Sequence, residues 1–339
     1  MYFRDQMAPA SPGLNTATAL SSTEAAILHT LLYFDIFRHP LTTDELHHNC
    51  HWHACSLSET ATALELLQER GIIDEESGNW FLTGKNNLVA LRREREERAL
   101  SFQKKAKRYS AFISSFPFVR GVSISGSLSK GTMDKDGDID YFIITEPQRL
   151  WIARTFLVLF KKIFLFNSKK YFCVNYFIDT NQLAIPDRNL FVATEIAYIR
   201  PMNNGLLYEE FMRANHWVGL FYPNRHPYST ASLPAARNGK MKRMIEAMMK
   251  GSLGEWLDEK LLRITLRRWK KKFAHLSDVR FEVDFRSRKN VSKHHPQGFQ
   301  HRISGELEKR RNAVTQATGI KVPAMRWNWS SDHDAMKII

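Results

Sequence analysis

Asp138 and Asp140 stand one residue apart at the start of the apolar run Tyr141-Phe142-Ile143-Ile144. Side chains alternate along a strand, so the two carboxylates point to the same side. Like charges so close repel unless a cation sits between them. Mg²⁺ (or Mn²⁺) that also carries substrate phosphates is the natural occupant. Seven residues before Asp138 ends the run Gly126-Ser127-Leu128-Ser129-Lys130-Gly131. Glycine lets backbone N–H groups approach a phosphate, the Ser127 hydroxyl adds a hydrogen bond, and Lys130 is counted with them as a nucleotide-binding residue. A second reading stays open: Asp134, Asp136 and Asp138 alternate near Gly137 and suit a solvated loop or a Ca²⁺-like site. An EF-hand-like loop, however, wants a Glu where the chain has Tyr141 to Ile144.

Strands must hold these groups. Val119 to Ser125, with Val122 and Ile124 apolar, predicts one strand running into Gly126, and Asp138 to Ile144 predicts a second. Tyr171 to Asp179 predicts a third, with Asn175 as its middle polar residue. Gly126-Ser127, followed eleven positions after Ser127 by Asp138-Ile139-Asp140 at a strand start, resembles the signature of the DNA polymerase beta-like nucleotidyltransferase superfamily. Within it, the segment looks like the small bacterial nucleotidyltransferase domains, over about residues 116–202.

The resemblance implies that Gly126 and Ser127 hold a triphosphate and that Asp138 and Asp140 bind metal ions. An acceptor hydroxyl then attacks the α-phosphorus of a nucleoside triphosphate and pyrophosphate leaves. The family usually adds a third carboxylate from a later strand. Here Asn175 takes that place; it can ligate a metal through its carbonyl but cannot act as a base. Asp179, further along the same strand and face, is the candidate for the base, with a residue from the C-terminal region as the alternative, and Glu195 on a following helix is a candidate for support behind the site. If nothing fills the base role, the chain is a catalytically weak or inactive nucleotide-binding regulatory protein.

The chain has 339 residues and a net charge of +14, unevenly spread. Residues 1–90 carry four basic and eleven acidic residues, while 240–312 carry 20 Lys and Arg against nine Asp and Glu. Residues 22–83 read as three helices and a hairpin, which resembles a winged-helix module. Thr42 with Glu45 and Ser56 with Glu59 mark two of its helix starts. Duplex DNA is disfavoured as a partner, because the third helix offers Glu59, Glu65 and Glu69 against Arg70 alone. Residues 47–55 hold four His and two Cys but no second ligand pair at zinc-site spacing, so they read as a loop with polar surface histidines.

Arg267, Arg268, Lys270, Lys271 and Lys272, with Arg286, Arg288 and Lys289, flank Trp269 and Phe285. They make 267–289 a candidate single-stranded RNA surface by phosphate neutralisation and stacking, with a solvated helix face and core aromatics as the plainer alternative. Three cysteines encode no disulfide framework and fit a reducing compartment. No signal peptide opens the chain, and the apolar window 151–166 is broken by Arg154, Lys161 and Lys162, so no membrane partner and a cytoplasmic location are expected.

The expected fold is α+β: a small mixed sheet of the nucleotidyltransferase type flanked by a winged-helix-like domain and a helical domain. The expected division is a flexible N-terminus (1–20), the head (21–88), a connecting helix (89–115), the core (116–202), a helical domain (203–325) and a tail (326–339). Which nucleotide is used, and which hydroxyl accepts, is left open by the sequence.

Overall fold

The computed structural model is a mixed α+β chain and describes residues 19–294, 298–323, 325–326 and 337–338. The N-terminus read as flexible, up to residue 18, and most of the 326–339 tail lie outside the described residues.

The head begins with α1 (Ser22–Asp35), α2 (Thr43–His48) and α3 (Leu57–Glu69). Each is started by a reciprocal cap in which a hydroxyl accepts from the third N–H and a Glu returns the bond: Ser21 with Glu24, Thr42 with Glu45, and Ser56 with Glu59. Then β1 (Ile73–Glu76) and β2 (Asn79–Leu82) pair antiparallel. Ser77 and Gly78 between them both have positive φ, the tight-turn geometry that matches strand twist.

From α4 (Leu88–Ile113), Arg92 donates to both Glu45 carboxylate oxygens (2.6 and 2.8 Å) and to Pro40 O (2.6 Å). Arg95, one turn on, bridges Phe37 O (2.8 Å) and Asp134 (2.6 Å). The connecting helix is therefore bolted to the head along its first turns.

The central sheet has six strands in the order β6-β3-β4-β5-β8-β7. The middle three are β3 (Val119–Ser125), β4 (Asp140–Thr145) and β5 (Cys173–Asp179). A four-residue helix, α5 (Gly126–Ser129), follows β3. The parallel pairing of β4 with β5 needs a crossover, which α6 (Leu150–Phe164) supplies. Its first turn is capped from a distance: Asp258 Oδ1 accepts the Ile152 N–H at 2.9 Å. After β5 come α7 (Leu190–Ala197), β6 (Arg200–Pro201), α8 (Gly205–Ala214) and α9 (Val218–Phe221). Next are α10 (Lys240–Met248), α11 (Ser252–Lys272), α12 (Asp278–Phe285), β7 (Ser287–Arg288), β8 (Val291–Lys293) and α13 (Phe299–Thr318).

Two expectations about organisation change. Residues 203–325 are not wholly helical, because β7 and β8 extend the sheet beyond β5. Nor is the head a separate body. Leu28, Leu31 and Leu64 of the head belong to the same buried cluster as Phe142, Ile144 and Ile178 of the sheet and Phe211 and Phe221 of the later helices. Tyr141, Ile143 and Phe177 point to the opposite face, where Phe102 and Ile113 of α4 and Trp151 and Leu157 of α6 cover them. Strand alternation thus divides the interior into two layers, one of which includes the head. Among the described residues, no helix is long and apolar enough to cross a membrane.

Candidate functional site

The site forms where β3, β4 and β5 end side by side. Ser125 of β3 pairs with Asp140 of β4, which pairs on its other side with Cys173 of β5. At Gly126 the chain leaves the sheet with φ +67°, a conformation glycine adopts freely. A Cβ at that position would lie 2.5 Å from Asp140 Oδ2. Glycine is required here twice over, by the turn and by the carboxylate against which it packs.

Asp138, Asp140 and Cys173 each offer a ligand atom within 4.8 Å of the other two. Asp138 and Asp140 are half-buried and Cys173 is buried. Ile139 between the carboxylates is tied down on both sides: its N–H donates to Lys170 O and its C=O accepts from Cys173 N–H, each at 3.0 Å.

One bulge interrupts the β4/β5 ladder. Tyr141 pairs with Val174 and Phe142 with Tyr176, which leaves Asn175 without a partner on β4. Its side chain turns to the cluster. Nδ2 donates to Asp140 Oδ1 at 2.7 Å and Oδ1 accepts from Cys173 Sγ at 3.1 Å.

Burial, and then the neighbouring Asp138 charge, push the Asp140 carboxyl up to about 7, against the opposing pull of the Cys173 hydrogen bond. Burial and the same two carboxylates push the Cys173 thiol up as well. This is a site short of positive charge. Two carboxylate donors and a thiol that can converge on one ion fit a divalent cation, and Asn175 serves it by orienting Asp140.

Lys130 offsets part of the negative charge at Asp140, as Lys161 does at Cys173. Lys130 Nζ donates to Gly126 O (3.1 Å) and pairs with Glu195 Oε1 of α7 (2.7 Å). Ser127 is half-buried beside it in the turn. Lys130 also lines a cavity of about 370 Å³ between core and head, together with Tyr198, Arg225, Phe34, His39 and Asp44.

Next to Glu195, Thr194 Oγ1 lies 2.5 Å from Tyr222 OH, which lies 3.2 Å from His51 Nε2. His51 Nδ1 in turn meets His29 Nδ1 at 3.2 Å. Burial drives His29 down to about 3 and His51 well below its usual range, so both rings are neutral. The histidine run is therefore not all surface: His51 is an interior link between the head and α7.

Asp179 does not join the cluster. It pairs with Thr145, at the far end of β4 from Asp140. The four residues from Asn175 to Asp179 span about 13 Å of strand. Its carboxylate accepts the Asn181 N–H at 3.0 Å and closes a local turn. The expectation that it acts as base is corrected by that separation.

Over 267–289 the plainer alternative is the one seen. Trp269 and Phe285 are buried and pack on each other with centroids 5.7 Å apart, so neither can stack on a base. Arg286 is paired with Asp187 (2.8 Å), Arg288 with Glu282 (2.7 Å) and Lys289 with Glu259 (3.5 Å). Arg267, Arg268, Lys270, Lys271 and Lys272 are exposed, which leaves a solvated cationic face.

Two participants were not singled out as ligands or tethers in the sequence. Cys173 was counted only among sparse cysteines, although it lies two residues before Asn175 and so on the same strand face. The Lys130–Glu195 pair joins residues 65 apart and carries no local signal. Comparison of the chain with family models, curated proteins and solved structures gives no match.

Proposed function

We propose that the chain is a divalent-cation-dependent nucleotidyltransferase. It would move a nucleoside monophosphate from a nucleoside triphosphate to an acceptor hydroxyl. The observation that carries this reading is the packing of the Gly126 turn directly on the Asp140 carboxylate, at the end of three adjacent strands. A glycine turn and a pair of neighbouring carboxylates packed on each other support this reading, because transfer from a metal-bound triphosphate needs phosphate and cation held side by side.

In this reading Gly126 and Ser127 receive the phosphates, and Lys130, held by Gly126 O and Glu195, adds positive charge at the turn. Asp138 and Asp140 would hold the cation, with Asn175 fixing the orientation of Asp140. When bound, the cation supplies charge neutralisation for the phosphates and for the attacking and leaving oxygens. The hydroxyl oxygen forms a bond to the α-phosphorus as the bond to pyrophosphate breaks, and the hydroxyl proton leaves to solvent or to a neighbouring base. The cavity lined by Tyr198 and Arg225 reaches the site through Lys130 and gives room for part of a substrate on the head side of that lysine.

Asn175 favours a second reading. No third carboxylate joins Asp138 and Asp140 among the described residues, and a site of this kind can bind a nucleotide without turning it over. The two readings separate on incubating the full chain with nucleoside triphosphates and Mg²⁺ or Mn²⁺. Pyrophosphate release, lost in Asp140→Asn, supports the transferase. Metal-dependent nucleotide binding with no release supports the regulatory protein.

A further inference from the structure

Cys173 stands directly opposite Asp140 in the β4/β5 register, so its side chain shares the face of the sheet on which the carboxylates converge. Two ligands bonded to one ion at about 2.0–2.3 Å lie roughly 3 to 4.6 Å apart, and the three donor atoms here already fall within 4.8 Å of one another. Little movement is needed to bring sulfur and both carboxylates onto a single ion.

The thiol is already tied into the site. It donates to Asn175 Oδ1 at 3.1 Å, and loss of its proton would release that carbonyl toward the same space. Mg²⁺ demands oxygen ligands and keeps much of its water, whereas thiolate sulfur favours the later first-row ions.

We infer that the Asp138–Asp140–Cys173 cluster is a mixed oxygen and sulfur site that prefers a thiophilic divalent transition-metal ion, of the Zn²⁺ or Co²⁺ kind, over Mg²⁺. This rests on reading the cluster as the cation site of the proposed transferase. Binding exchanges one proton for one metal–sulfur bond: Cys173 gives up its S–H proton to solvent and the metal takes the sulfur lone pair, with no change of oxidation state. Cys50 and Cys55, the other two thiols, are buried in the head beside each other and His47, and are the rival sulfur ligands the test must separate.

The test uses the metal-free full chain titrated with Co²⁺ and Zn²⁺ in the presence and absence of excess Mg²⁺. The expected result is one thiolate-to-cobalt charge-transfer band per chain and one sulfur neighbour at about 2.3 Å in X-ray absorption of the zinc form. Cys173→Ser should lose the band and at least roughly tenfold in Zn²⁺ affinity while keeping its Mg²⁺ affinity. If Cys173→Ser fails to fold, Cys50→Ser/Cys55→Ser keeps the test open: one sulfur among oxygen neighbours should persist in its zinc form, and loss of that sulfur, or two sulfurs in wild type, overturns the inference.

A zinc form with no sulfur neighbour overturns the inference, as does a band that persists in Cys173→Ser or Mg²⁺ that displaces Zn²⁺ at equal concentration. If nucleotide binding then still depends on Mg²⁺ and on Asp140, the transferase reading survives alone. If no divalent ion binds with or without nucleotide, both fall.

Discussion

Asn175 Nδ2 donates to Asp140 Oδ1 across 2.7 Å, from the one residue of β5 that the bulge leaves unpaired with β4. In the metal-free protein that amide partly satisfies a carboxylate which burial and Asp138 otherwise disfavour in its charged form. Asn175→Asp replaces a donor with a third acceptor and a like charge. The metal-free variant should be less stable at neutral pH by about 1–3 kcal/mol. A divalent ion should raise its melting temperature by more than that of wild type. Thermal melts with chelator and with Mn²⁺ check this, and a variant that melts higher than wild type in chelator would contradict the geometry.

Gly126→Ala should damage the site more than the fold. A left-handed conformation costs a residue with a Cβ about 1–2 kcal/mol, and the added carbon must also displace the Asp140 carboxylate. The chain should stay folded, by circular dichroism, with nucleotide affinity lost. Gly131→Ala is the control: its φ of +75° is just as strained, but a Cβ there meets nothing within 4 Å. Equal loss from both variants would show that strain, and not contact with Asp140, is what matters.

A pH signature should come from Asp258, whose carboxyl is pushed up to about 6 by burial even though it caps the start of α6. Its ordinary value is 3.8, so between pH 4 and 6 the folded chain binds more protons here than the unfolded chain. This contribution to stability is therefore full below pH 4 and is lost as pH rises through 6. Asp258→Asn keeps an acceptor and removes the charge. Relative to wild type it should gain on the order of 2–3 kcal/mol between pH 4 and pH 7, measured by denaturant unfolding at each pH. A constant difference across that range would contradict the shift.

How far the sequence went is instructive at particular residues. The helix starts at Thr42 and Ser56 were readable because a cap is local: hydroxyl and carboxylate lie three residues apart and report on each other. Asp138, Asp140 and the Gly126 turn were readable for the same reason, each being a short-range pattern on a strand end. Asp179 was misplaced because two-residue periodicity fails across a bulge: with Asn175 unpaired, Asp179 falls in register with Thr145, at the far end of β4 and on the Phe177 face of the sheet, opposite that of Asp140. Trp269 stayed open between core and stacking, because a cationic helix that buries one stripe looks, in sequence, like basic residues interleaved with an exposed aromatic; its burial agrees with the plainer of the two readings. The shared core of head and sheet left no trace at all, since it is made by contacts such as those of Leu28 and Phe142 within one cluster, 114 residues apart.

The exposed cations of α11 should be dispensable for nucleotide binding. Replacing Arg267, Arg268, Lys270, Lys271 and Lys272 with Gln should leave the melting temperature within a few degrees of wild type. Any binding of single-stranded RNA should fall uniformly across sequences and lose much of its salt dependence. Trp269→Ala, by contrast, should lower stability by about 3–5 kcal/mol, because it removes a core side chain that packs on Phe285, Trp151 and Arg154. RNA affinity lost in Trp269→Ala at unchanged stability would restore a stacking role.

The most direct test of the central reading is a binding titration of the full chain with a non-hydrolysable nucleoside triphosphate, run with chelator, with Mg²⁺ and with Mn²⁺, on wild type, Asp138→Asn and Asp140→Asn. Wild type should bind only when a divalent ion is present. Each variant should lose that dependence and the affinity with it, while melting no lower than wild type in chelator, since each removes a charge from a crowded pair. Nucleotide binding of equal strength in chelator, or in either aspartate variant, would contradict the assignment of Asp138 and Asp140 to a metal-held triphosphate.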